Sequence, residues 1–486
     1  MDRDATYYFT DGACGTGKTH NALKTIASSG GLHLYVTDRR EAIMERSAKI
    51  VSLLADVGAT MSVVSIISER DRKTQSWSVR RRVQDLPASW HATDDVCVFI
   101  THEAMRMCDL SEFTGWSIWI DEVPDIMDNE TMQIGVSKSL FDRLYCLDPI
   151  SNDDGEPSGW SGVRLRGSEA SLAHIAQDDI ANGLRAFHRR LTDQHEHDRR
   201  AVVVNASRWD EYGPDKRCNW FSIWSPEHLS AFNRVTFLAN AFTDSLTFQI
   251  MRAMWPSIEW KKVQADGSRK FKQRTVTIHY YAERHQASRK LFNSDAGRAY
   301  VQAICDDIRV RVTSDHIYMT NGAEDEIVFL PGTKLSPKQA GSNEFSAINA
   351  ATCIYTVKPD HEQRKAYELL GIDPDYYIET NERETILQFM CRTSVRDPES
   401  VCHVDLFVYD KTQADFLRRY FDRDQRGYAV ATMQLHDLGF AYAERKRGRP
   451  VVVRSEDDQA RRATDRREAD RLRKAARRAA LKAGTA

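Results

Sequence analysis

The chain has no run of eighteen apolar residues, no C-x-x-C pair and no basic, apolar leader; it begins MDRDATYY. The first absence excludes a membrane-spanning helix and the last argues against a secretory signal, so the expected compartment is the cytoplasm and no membrane contact is expected. Nine cysteines stand singly at positions 14, 97, 108, 146, 218, 305, 353, 391 and 402. An odd number without paired spacing fits neither a disulfide framework nor a zinc ribbon, and the thiols are read as reduced. No short-period repeat is visible. What is there is ordinary for a globular protein: 486 residues, 28% charged and 41% hydrophobic, enough for two to four domains.

A net charge of −2 conceals an asymmetry. From residue 444 to 486 there are fifteen Lys/Arg against seven Asp/Glu, a surplus of eight positive charges that leaves the rest of the chain ten negative. A basic tail on an acidic body suits either an appendage that touches polyanions through counterion release or a solvated, partly helical extension.

Residues 10–23, TDGACGTGKTHNAL, fit G-x-x-x-x-G-K-[ST]. The glycines allow backbone conformations that turn N–H groups inward around phosphate oxygens, where the following helix adds its positive end. In this pattern Lys18 reaches the β- and γ-phosphates and Thr19 offers its hydroxyl to Mg²⁺. Gly12, Gly15, Gly17, Lys18, Thr19 and His20 are therefore the expected nucleotide contacts, with ATP and Mg²⁺ as cofactors. The flanks agree, because residues 6–10 (TYYFT) read as a strand and residues 21–27 as a helix with Ala22, Leu23 and Ile26 on one face.

Strands and helices then alternate. Apolar runs at 31–38, 61–67, 96–102 and 116–122 have the continuous character of strands buried on both faces of a parallel sheet, and residues 43–54 place Ile43, Ser47, Ile50, Val51 and Leu54 on one helical face. After the charged stretch 261–274, which reads as a linker, a second series follows at 275–281, 315–321, 326–330, 351–357 and 401–410, with no second P-loop. The predicted class is α/β, with two parallel-sheet domains and a basic, partly helical C-terminal tail. The boundaries are 1–260, with an insertion at about 131–230, then 275–425 and 426–486.

The strand at 116–120 runs directly into Asp121-Glu122-Val123-Pro124. Behind a P-loop, such a pair supplies one carboxylate for the ion's water shell, Asp121 opposite Thr19, and a second, Glu122, to polarise the attacking water. Residues 68–84, SERDRKTQSWSVRRRVQ, place Arg80, Arg81 and Arg82 near Trp77 and read either as a phosphate-contacting, base-stacking segment or as a bare basic loop. His195 and His197 in the insertion are set aside as metal ligands, since i, i+2 positions on a helix face apart. Trp160, Trp209, Trp220 and Trp224 in the same region suit a small core better than base stacking.

In motif order the chain resembles a superfamily 2 helicase of the DEAD-like kind often carried by phages and mobile elements. Residues 12–19 match its first motif; YVTDRR (35–40) and ITHEAM (100–105) look like strand-contacting motifs; DEVP (121–124) matches the second; FLANAFTD (237–244) sits where the third belongs. LQFMCRTSVRD (387–397) resembles the sixth, with Gln388 and Arg392 at matching spacing. The resemblance implies two RecA-like domains, ATP hydrolysis in the cleft between them, and a nucleic-acid strand, DNA favoured over RNA, held through Thr37, Arg39, Thr101 and His102 together with Arg80 and Arg81. Replication or recombination proteins are implied partners, in host cytoplasm if the gene is a phage's. The family's finger arginine falls seven residues after the glutamine; that position is Val395 here and the arginine is Arg396, so both Arg392 and Arg396 stand as candidates beside the catalytic set Lys18, Asp121, Glu122 and Gln388. Four-residue spacing of Gln388, Arg392 and Arg396 predicts one helical side. A DNA-packaging motor ATPase and a nucleotide-gated binding module are the competing readings.

Overall fold

The computed structural model describes residues 5–67, 79–133, 138–151, 155–166, 185–192, 201–206, 217–263, 271–321, 327–337, 344–423 and 429–440. The first sheet takes β1 Thr6–Asp11, β2 Leu32–Thr37, β3 Ser62–Ser65, β4 Val96–Thr101 and β5 Ser117–Asp121 from the first part of the chain. All six residues of β2 are buried, as the unbroken apolar run requires of a strand covered on both faces. Helices α1, Lys18–Ser29, and α2, Arg40–Val57, cover one face of this sheet. On α2 the buried stripe is Ile43, Ile50, Leu53 and Leu54; Val51 faces solvent, because one step from Ile50 turns about 100° around the helix.

The chain then leaves the sheet. Strands β6 Met127–Gln133, β7 Tyr145–Ser151, β8 Pro157–Leu165, β9 Ala201–Asn205 and β10 Arg217–Ile223 form a separate antiparallel sheet in the order β6-β10-β9-β8-β7. This is the expected insertion. Trp220 packs edge-on against Phe187 with Phe141 and Tyr145 nearby, and Trp160 and Trp224 are buried, so these rings form cores and do not face a ligand. Trp209, Trp77, His195 and His197 lie outside the described residues.

Strands β11 Arg234–Ala239 and β12 Glu259–Lys262 return to complete the first sheet, ordered β12-β1-β11-β5-β2-β4-β3 with every pairing parallel. The start of the expected linker is thus an edge strand on β1. Because β11 lies between β1 and β5, the carboxyl ends of the three come side by side, Asp11 level with Ala239 and Leu238 level with Asp121. In open parallel sheets this end is where ligands bind.

The second sheet contains β13 Arg274–Ala282, β14 Ile317–Thr320, β15 Thr333–Lys334, β16 Ala350–Ile354, β17 Val404–Asp410 and β18 Ala429–Leu435, all parallel, in the order β15-β14-β16-β17-β13-β18. The architecture is therefore α/β with two RecA-like parallel-sheet domains and an antiparallel insertion in the first. Two local expectations change. Ile327–Leu330 is not a strand: the turn at Pro331-Gly332, with Gly332 at φ 95°, follows it and Phe329 faces solvent. Strand β18 lies within the segment assigned to the tail, where its alternating exposure suits an edge. The remainder of the tail, from residue 441, lies outside the described residues, and among those described no helix is long and apolar enough to cross a membrane.

Candidate nucleotide-binding cleft

The loop after β1 has the conformation its glycines permit. Gly15 and Gly17 sit at φ 79° and 90°, a region costly for side-chain-bearing residues, and Gly17 is the N-terminal cap of α1 with no side chain capping it. A Cβ on Gly15 would also meet the Arg396 carbonyl at 3.0 Å and the Phe271 ring at 3.3 Å. Lys18 directs its ammonium at the carbonyls of Gly12 and of Ala13, the latter at 3.1 Å. Thr19, one residue further, donates to both oxygens of Asp121 at 3.0 and 3.1 Å.

Asp121 ends β5 and is 3% exposed. Arg46 of α2 approaches it at 3.3 Å, and the His102 ring meets its carbonyl at 3.0 Å. Burial, opposed by that carbonyl, lowers the His102 pKa to about 4 and so keeps the ring neutral at neutral pH. One carboxylate with a hydroxyl beside it, both hard oxygen donors, fits Mg²⁺, which takes one or two protein carboxylates and fills its other positions with phosphate oxygens and water. Among the described residues no group of three or more His, Cys, Asp or Glu forms an all-protein metal cage, so the fit is to an ion shared with a phosphate ligand.

Glu122 has φ 70°, unusual for a residue with a side chain, held by its N–H donating to the Leu238 carbonyl at 3.0 Å. From the second domain, Gln388 donates to Glu122 Oε2 at 3.0 Å. Burial first, and the neighbouring Asp121 second, raise the Glu122 pKa to about 7. Glu384, one turn before Gln388, accepts from Gln388 at 3.3 Å and from Asn240 at the end of β11 at 3.0 and 3.2 Å; burial pushes its carboxyl well above the usual range. Asn240 and Glu384 were not among the expected site residues, nor was Arg46. Glu384 was within reach of the same four-residue spacing that singled out Gln388, Arg392 and Arg396.

The helix carrying Gln388, Glu384–Met390, ends before either arginine. Arg392 follows its cap and Arg396 closes a short 3-10 turn, Ser394–Arg396, so the two are not on one helical side with Gln388 as expected. They nevertheless line the same cavity of about 570 Å³ as Gly15, Lys18, Thr19, His20 and Glu122. Arg392 is 2% exposed, lies 5.4 Å from the Phe389 ring, and among the described residues has no hydrogen-bond partner on any of its three guanidinium nitrogens. Burial, with Arg39 and Arg396 adding like charge, lowers its pKa to about 10.

The expected strand-contacting residues divide. Thr37 and Thr101 stand level at the ends of β2 and β4, but Thr37 is 1% exposed with its hydroxyl on Asp38, and Thr101 caps the helix His102–Met107 by accepting from Ala104. The His102 ring is turned to the Asp121 carbonyl, so each of the three side chains has a hydrogen bond within the protein. Arg39 caps α2 beside Asp38, 3.6 Å away. Arg80 and Arg81 lie on the short helix Val79–Gln84, Arg81 exposed and 3.7 Å from Asp85.

No protein-family model and no curated protein matches the sequence. Solved structures do. The chain is similar to Xpd4 from S. tokodaii at 10% identity over 88% of this chain and 96% of that one, with a TM-score of 0.45. It is similar to RecG bound to a three-way DNA junction at 8% identity, 87% and 42% coverage and a TM-score of 0.34. Dbp5 from S. cerevisiae, bound to RNA and ADP BeF3, matches at 9% identity, 88% and 85% coverage and a TM-score of 0.30.

Proposed function

We propose that this protein is an ATP-dependent nucleic-acid translocase or helicase of the superfamily 2 kind, hydrolysing ATP with Mg²⁺ between its two parallel-sheet domains. The observation that carries the reading is the buried Arg392, from the second domain and without a hydrogen-bond partner among the described residues, lining one cavity with Lys18 and the Asp121-Glu122 pair of the first. A desolvated, unpaired guanidinium is costly unless an anion completes it, and a triphosphate held by Gly15, Gly17 and Lys18 supplies that anion. Thr19 and Asp121 would hold Mg²⁺, which when bound neutralises phosphate charge in the displacement.

The remaining roles belong to the chain. Lys18 exchanges its loop carbonyls for phosphate oxygens. Glu122, poised near neutrality and oriented by Gln388, takes the proton of the attacking water. Arg392 or Arg396 stabilises charge on the transferring group, so turnover requires both domains in contact and product release lets them part, the motion by which a strand held across both would be advanced. DNA is the favoured strand, with Arg39, Arg80 and Arg81 as proposed contacts and the basic tail as an added one. Measuring ATP turnover with single-stranded DNA, duplex DNA and RNA in turn tests the reading: stimulation by at least one is expected, greatest with DNA, and turnover indifferent to all three would overturn it.

A further inference from the structure

Arg46 stands where the pattern of α2 asks for an apolar residue. The buried stripe of that helix runs through Ala42, Ile43, Ile50, Leu53 and Leu54, and a residue three after Ile43 and four before Ile50 lies on the same side. The side chain turns to the carboxylate of Asp121, its Nε donating to Oδ2 at 3.3 Å. Asp121 is buried, and among the described residues Arg46 is the one cation within ion-pair distance of it. A charge in an apolar stripe is costly alone, and the pairing offsets that cost for both partners. The same guanidinium donates from Nη1 to Glu45 Oε2 at 3.2 Å, and Glu45, Arg46 and Lys49 line one cavity with Lys18, Thr19 and Asp121.

On the ATP–Mg²⁺ reading of this cleft, on which the inference rests, we propose that Arg46 is a resident counter-cation of Asp121 that competes with the divalent ion. Metal alone then binds poorly, and metal together with a triphosphate binds well. The contest is for one carboxylate. Its Oδ2 already takes the Thr19 hydroxyl at 3.1 Å as well as Arg46, and a divalent ion bonded there would lie beside a guanidinium of like charge. Repulsion between buried charges is little screened by salt, so Arg46 has to give up Asp121 before the carboxylate serves a metal. Glu45 is a weak substitute partner, because its side chain is 44% exposed. Phosphate oxygens entering the same cavity are a stronger one, matched to the planar fork of arginine. The anion thereby lifts the competition, which couples metal and nucleotide binding through a residue that touches neither the P-loop sequence nor the second domain's arginines.

The test titrates the full-length protein with Mn²⁺, a hard cation suited to the same oxygen ligands as Mg²⁺, and follows the bound ion by electron paramagnetic resonance, first alone and then with a non-hydrolysable ATP analogue. Arg46→Gln keeps a hydrogen-bond donor without the charge and is expected to bind Mn²⁺ alone about tenfold more tightly than wild type, a gap that the analogue narrows. Arg46→Lys is expected to bind the ion alone as weakly as wild type, and adding Asp121→Asn to Arg46→Gln is expected to abolish the gain. Because an unpaired Asp121 destabilises the fold, thermal unfolding is followed with and without Mn²⁺, and the ion is expected to raise the midpoint of Arg46→Gln by more than that of wild type. Equal or weaker Mn²⁺ affinity in Arg46→Gln, or a loss of stability that the ion does not restore, would make Arg46 a structural counter-ion and overturn the proposal while leaving the nucleotide reading in place. Failure of every form to bind Mn²⁺ even with the analogue present would remove the ATP–Mg²⁺ site itself, and the proposal with it.

Discussion

Lys18, Glu122 and Gln388 separate binding from chemistry residue by residue. Lys18→Ala removes the charge expected at the β/γ-phosphates and is expected to lower turnover by a factor of about 10² or more while also weakening ATP binding, measured by steady-state hydrolysis and nucleotide titration. Glu122→Gln keeps the shape of the site and is expected to retain ATP without hydrolysing it. The pH dependence follows from the same carboxylate. Burial and Asp121 raise the Glu122 pKa to about 7, and only the ionised form accepts a proton from water. Turnover is therefore expected to fall as pH drops through about 7 and to level off above it. Gln388 donates to Glu122 and favours the ionised form, so in Gln388→Ala the limb should move to higher pH. A profile flat between pH 6 and 8 in the wild type would exclude Glu122 as the base.

Among the elements, the strands with unbroken apolar runs were the most legible, because burial on both faces leaves a parallel strand no polar position to hide its signal. The turn after β1 was legible for a related reason: Gly15 and Gly17 take the positive φ that glycine adopts at little cost, and α1 begins directly after them at Lys18. Helix ends were not: the path after Met390 depends on packing of Arg392 and Val395 against the second core, which spacing alone does not contain. The hydrogen bonds of Thr37, Thr101 and His102 within the protein were hidden for a similar reason, since a polar residue at a strand end reads the same whether it faces a ligand or caps a helix. Four-residue spacing reaches Glu384, but its pairing with Asn240 joins distant segments and no local pattern contains it. The insertion's own core makes a separate claim. Trp220, 1% exposed, is expected on replacement by Ala to cost about 3–5 kcal/mol in denaturant unfolding, while ATP binding by the first sheet persists. Unchanged unfolding would place Trp220 outside that core's energetics.

For the whole molecule the asymmetry of charge remains. An acidic body carrying a basic tail after Glu444 is expected to bind nucleic acid with an affinity that falls steeply with salt, and deletion of residues 445–486 should flatten that dependence while leaving basal ATP turnover intact. An unchanged salt slope would assign the tail to solubility. The central claim, that ATP held by the first domain is hydrolysed only with help from the second, is tested most directly by turnover and ATP affinity in Arg392→Ala and Arg396→Ala, each measured with nucleic acid present. One of the two is expected to lose a factor of about 10³ or more in turnover with far less change in ATP affinity, as a transition-state arginine does, whereas an exposed ion pair would contribute at most about 1 kcal/mol. Nearly full nucleic-acid-stimulated turnover in both variants would contradict the two-domain cleft as the site of catalysis.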